Sequence, residues 1–94
     1  MEKAKLNVAD LSGALLNRVR LSGADLSKAK FVEADLTDAN LYGTDCYRTN
    51  FEKADLTRAN FSKARLVSTL FYDAVLERTR LPREAERWVR EQGQ

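Results

Sequence analysis

The chain carries fourteen carboxylates, sixteen lysines and arginines, a single thiol at Cys46 and no histidine. Lack of histidine removes the commonest general base and metal ligand. These residues assemble no nucleophile–histidine pair, no metal-ligand cluster and no glycine-rich phosphate loop. Two chemistries remain. Glu33, Asp35, Glu52, Asp55, Asp73 and Glu77 could act as paired carboxylates, moving protons or holding a hard cation. Arg18, Arg20, Arg58, Arg78 and Arg80 could bind phosphates. Which of them meet depends on the elements that carry them.

Those elements are a repeat. Every fifth residue from Leu6 to Leu81 is Leu, Phe or Cys, which makes sixteen consecutive five-residue units. Of eighteen Leu, Phe and Cys residues only Leu15 and Leu70 fall outside that phase, and eleven of twelve alanines sit two places earlier. On an α-helix a five-residue step turns about 500°, so the apolar residues would spiral around the surface. On an unbroken strand the facing direction would reverse at each unit. The pattern closes if each unit is a short extended piece followed by a turn. Ala54 and Leu56 then point inward, Asp55 and Thr57 outward, and the turn resets the phase for Ala59 and Phe61. Gly13, Gly23 and Gly43 fall on the fifth residue of their units, the slot where a type II turn requires positive φ.

Units such as Ala24-Asp25-Leu26-Ser27-Lys28, Ala34-Asp35-Leu36-Thr37-Asp38, Ala54-Asp55-Leu56-Thr57-Arg58 and Ala59-Asn60-Phe61-Ser62-Lys63 resemble the pentapeptide-repeat family, from Ala4 to about Arg83. The resemblance implies an all-β solenoid, a right-handed quadrilateral β-helix with four units per coil. For this chain that means about four coils over residues 1–81, with residues 82–94 forming a short C-terminal capping α-helix and tail. Asp or Asn fills the second slot in seven of eight units from Asp25 to Asn60, whereas Leu15, Arg20, Arg65, Leu70, Val75 and Arg80 replace it towards the ends.

Columns of Leu and Phe should fill the core, with Cys46 among them as a buried small hydrophobe. Thr44, Thr49, Thr69 and Thr79 replace inward alanines and need backbone acceptors. At the C-terminal end Pro82 suits a first helical position, Gly93 a stop, and Ala85, Trp88 and Val89 form an apolar stripe for docking on the last coil, with Trp88 as lid. At the other end only Met1 to Lys3 are at hand as cover.

In the implied register the acidic residues gather on one edge and the arginines, with Asp38 among them, on the next. Both read as solvated edges, so no catalysis, no metal and no cofactor is expected, and nucleic acid is disfavoured. The apolar surface is more informative. Tyr47, Val67, Leu70, Tyr72 and Val75 occupy outward slots in or beside the last coil, a candidate interface for a tail-to-tail homodimer through the C-terminal coil, the alternative being that the C-terminal helix folds back over them. No segment reaches the ~18 apolar residues of a membrane helix, and Met1-Glu2-Lys3-Ala4-Lys5 begins no secretory signal. One cysteine, with no internal disulfide possible, fits a reducing cytoplasmic setting.

Two functions follow as expectations. One is a non-catalytic scaffold or protein-interaction module. The alternative is the family's topoisomerase-protecting branch, whose dimeric rods imitate DNA to occupy gyrase. A net charge of +2, an arginine edge and an unbroken register without projecting loops fit that branch poorly.

Overall fold

A computed structural model describes residues 3–93. Parallel bridges join each second-slot residue to the one twenty places on, from Lys5 with Asp25 to Asn60 with Arg80. One coil therefore takes twenty residues and four units. We number them coil one (4–23), coil two (24–43), coil three (44–63) and coil four (64–83). The four faces run in chain order, with Leu6, Leu11, Leu16 and Leu21 heading their inward columns. Up to three hydrogen bonds tie a unit to the next coil, as in the first: Leu6 N–H to Asp25 O at 2.8 Å, Asp25 N–H to Ala4 O at 2.9 Å and Val8 N–H to Ser27 O at 2.9 Å.

The turns explain why five residues suffice. In the first, Ala9 N–H donates to Leu6 O at 3.0 Å and Val8 takes φ 68°. The same slot is left-handed in every unit from Lys3 to Arg78, with φ between 55° and 72°, and only three of these residues are glycines. A left-handed L-residue costs roughly 1–2 kcal/mol, so the side chains elsewhere must hold these turns closed.

Part of that hold is local. Eight Asp or Asn residues in the second slot each accept the backbone N–H two residues on, as Asp25 Oδ1 does from Ser27 at 3.0 Å. Ser27, Thr37 and Thr57 add a hydroxyl donor to the same oxygen at 2.6 Å. These side-chain turns account for the Asp/Asn preference seen in the sequence.

The rest is core. Phe31, Phe51 and Phe71 stack with centroids 5.1 and 5.3 Å apart, and Phe61 meets Phe51 and Phe71 edge-on at 5.3 and 5.7 Å. The four inward threonines donate to main-chain oxygens: Thr44 to Leu41, Thr49 to Leu26, Thr69 to Cys46 and Thr79 to Leu56. No buried side-chain nitrogen or oxygen among the described residues lacks a partner. Cys46 is fully buried, and burial pushes its thiol up to about 12.

The C-terminal segment departs from the sequence reading at its start. Pro82 does not open the helix. It is buried at the end of coil four and begins a turn in which its carbonyl accepts Ala85 N–H at 3.0 Å. The helix, α1, runs Glu86–Gln92, with Ala85 as its N-cap residue and Gly93 at its C-cap. Pro82 still occupies a coil slot, following Leu81 as Ser62 follows Phe61, and α1 begins at Glu86, four residues beyond the proline. Gly93 stops α1 as expected but for another reason. Its φ is −83°, and a Cβ there would land inside the Leu76 side chain.

Candidate functional site

Among the described residues no three His, Cys, Asp or Glu side chains converge on a position that could hold a metal ion. The acidic edge is divided among other tasks. Asp35 and Asp55 are the acceptors of their own turns, and Glu33 and Asp73 belong to turn corners with Lys53 between them in the column. The Thr37 hydroxyl and then its N–H hold the Asp35 carboxyl below its ordinary range. Both groups bond the charged form, so the carboxyl stays ionised near neutral pH and is a weak base.

On the arginine edge Arg58 clamps Asp38 one coil below, Nε to Oδ1 at 2.8 Å and Nη2 to Oδ2 at 3.0 Å. That hydrogen bond holds Asp38 low and raises Arg58. Arg18, Arg20, Arg78 and Arg80 form no ion pair among the described residues. The fourth face, with Arg20, Lys63, Arg80 and Arg83, has no carboxylate in its four units, 19–23, 39–43, 59–63 and 79–83.

The five apolar interface candidates spread over three sides of coils three and four. Val67 is 42% exposed, Tyr72 49% and Val75 37%, while Leu70 is half-buried. Tyr47 is half-buried too, held between two guanidiniums, Arg65 at 5.1 Å and Arg48 at 5.5 Å from its ring centroid. Arg65 also pairs with Asp45 at 3.1 Å. This cation–aromatic clasp was not read from the sequence, although Tyr47 and Arg48 are adjacent and Arg65 stands in the column one coil on.

The cap candidates meet the last coil. Ala85 and Val89 are buried, and Trp88 is half-buried with its ring edge-on to Phe71 at 6.1 Å between centroids. Polar groups hold the segment as well. Gln92 accepts Asp73 N–H on its carbonyl at 3.1 Å and Phe71 N–H on its Oε1 at 2.8 Å. Arg90 donates to Leu76 O at 2.7 Å and Thr79 O at 2.9 Å, and pairs with Glu86. Arg83, Glu84, Arg87 and Glu91 make the outer surface of this segment charged and exposed.

The N-terminal end is different. Leu6, Leu11 and Leu16 are only half-buried, and Leu15 is 82% exposed.

Sequence comparison agrees with the geometry. A family model described as pentapeptide repeats, in eight copies, matches residues 4–43 and 34–71. The chain belongs to the pentapeptide-repeat family. Its fold is the family's β-helix, with one C-terminal helix. A pentapeptide repeat protein from Nostoc Pcc 7120, solved by crystallography, is 37% identical with a TM-score of 0.81, over 84% of this chain and 65% of that one. A second pentapeptide repeat protein, from the Arabidopsis thaliana thylakoid lumen, is 24% identical with a TM-score of 0.51, over 85% and 59% of the two chains, and shows the fold alone. The chain thus spans less than two thirds of either solved relative. A search of the curated proteins found no match.

Proposed function

We propose that this chain is a non-catalytic interaction scaffold that pairs with a second copy side by side through its C-terminal coil. The reading takes the winding as right-handed and four-sided, as the family implies, with α1 as the cap of coil four. One observation carries it: α1 lies across the end of the rod and leaves Val67, Tyr72 and Val75 exposed on the sides. Val67, Tyr72 and Val75 all belong to coil four, and exposed apolar side chains gathered at one end of the rod mark an interface. A two-fold arrangement lets that end meet its counterpart along a shared side. End-on contact is disfavoured, because it would bury Arg83, Glu84, Arg87 and Glu91.

The test is absolute mass by light scattering across a concentration series, for wild type and for Leu70→Lys/Tyr72→Lys. Wild type should reach twice the 10.7 kDa chain mass, and the variant should remain a folded monomer. A wild-type monomer at every concentration refutes the pairing.

A further inference from the structure

α1 stands in for part of a fifth coil, chiefly on the second face, and makes no hydrogen bond to the first. On the second face Gln92 accepts from Phe71 and Asp73, as a further coil would, and on the fourth Arg90 takes Thr79 O. On the third it reaches only the turn carbonyl of Leu76, leaving Leu76 N–H, Arg78 N–H and Ala74 C=O without a partner among the described residues. On the first face the ladder simply stops. One coil earlier, Cys46 N–H donates to Arg65 O, Arg48 N–H to Val67 O, and Arg65 N–H returns to Thr44 O. Their counterparts, Leu66 N–H, Ser68 N–H and Ala64 C=O, have no partner among the described residues. Beside them a cleft of about 240 Å³ opens, lined by Ala64, Leu66, Val67, Pro82, Ala85 and Trp88. A second cleft of about 240 Å³ continues it around the corner past Lys63 and Arg83.

We propose that this cleft receives an extended segment of a partner protein, added in parallel along 64–68, with the pattern small–acidic–apolar. Main-chain pairing at an open edge supplies the attraction, and alternate side chains supply the choice. The register follows from the coils below. The central residue of the segment donates to Ala64 O and accepts from Leu66 N–H, and the carbonyl two places on accepts from Ser68 N–H. The residue before it points inward over Ala64, where space is least. The residue after it points inward over Leu66 and beside Trp88, into the apolar part of the cleft.

The central side chain points outward above Arg65, which now has Asp45 on one side only. A carboxylate there completes a column of alternating charge, and Lys63 and Arg83 favour an acidic segment against the single Glu84. The same charges reject a second copy stacked head to tail. That arrangement would set Lys5 above Arg65 and Arg20 above Arg80. The site borders the side-by-side pairing surface at Val67, which belongs to both, but does not require the pairing.

The experiment titrates two acetylated, amidated peptides, Ala-Asp-Leu-Ser-Gly and Ala-Lys-Leu-Ser-Gly, into the isotope-labelled full chain. It is run on wild type and on the Leu70→Lys/Tyr72→Lys variant, so that loss of pairing and loss of peptide binding are read apart. The aspartyl peptide should shift and protect the Leu66 and Ser68 amides at about millimolar concentration. It should bind about fivefold more tightly than the lysyl peptide, with Arg65→Glu reversing the order. Equal affinities, no shift up to about 5 mM, or a shift that occurs only with doubling of the chain mass would each overturn the proposal. So would Leu66 and Ser68 amides that, without peptide, already exchange as slowly as those of Phe71 and Asp73.

Discussion

Phe51 sits at the centre of the aromatic core, and its replacement measures what holds the coils together. The ring is fully buried, stacks on Phe31 and Phe71 and receives the edge of Phe61. Phe51→Ala should cost about 4 kcal/mol, the usual loss for a buried ring that leaves a cavity. Phe51→Leu restores most of the volume and apolar area but forfeits three ring contacts worth ~0.5–1.5 kcal/mol each, which are not fully additive, so about 2 kcal/mol is expected. The assay is equilibrium unfolding in urea, followed by circular dichroism and by Trp88 fluorescence. The two signals report on the coils and on the C-terminal end, and coincidence of the curves would show one cooperative unit. A Phe51→Leu cost under about 0.5 kcal/mol would refute the reasoning, because the rings would then be filler rather than paired aromatics.

Four other outcomes are expected. Val8 is β-branched and 67% exposed at φ 68°, so Val8→Gly should raise stability by about 0.5–1 kcal/mol in the same urea assay despite the added freedom of the unfolded chain. Gly93→Ala should cost about 1–3 kcal/mol by forcing a methyl into Leu76, seen as a lower melting temperature. Asp25 and Asp35 titrate below their ordinary values because Ser27 and Thr37 bond their charged forms. The folded state therefore binds fewer protons, and stability present above about pH 4 is lost as pH falls through the depressed values. Melting curves at descending pH check this, and Ser27→Ala/Thr37→Ala should flatten the decline. A gyrase supercoiling titration at micromolar protein, with and without a quinolone, should show no effect; protection would revive the DNA-imitating alternative.

The phase of Leu6 to Leu81 made the inward positions legible, because burial acts on every unit in the same way, whereas four units per coil came from the family resemblance. The left-handed slot was legible from Gly13, Gly23 and Gly43 alone. Val8, Arg18 or Lys53 gives no local hint of positive φ, since the coil imposes it. The end of the solenoid was harder to read. Pro82 satisfies a coil turn and a helix start equally well in sequence, and tertiary packing chose the turn. Gln92 gave no sign that its side chain and carbonyl would stand in for a fifth coil, because that depends on where α1 docks. The same dependence hid the open first-face edge at Leu66 and Ser68. The interface candidates were legible as outward slots, whereas the grip of Arg48 and Arg65 on Tyr47 required the coils to be stacked first.

The sole thiol also gives this rod an internal clock. Cys46 lies in coil three against Thr44, closed off from solvent. An alkylating reagent can reach it only when coils open around it, and its high pKa keeps it protonated even then until the surroundings are wet. Its rate of modification under native conditions therefore counts openings of the middle of the solenoid. Frayed ends at coil one or α1 leave that count unchanged. Set against amide exchange at each coil, it would tell whether the rod breathes from its tips inward or comes apart all at once.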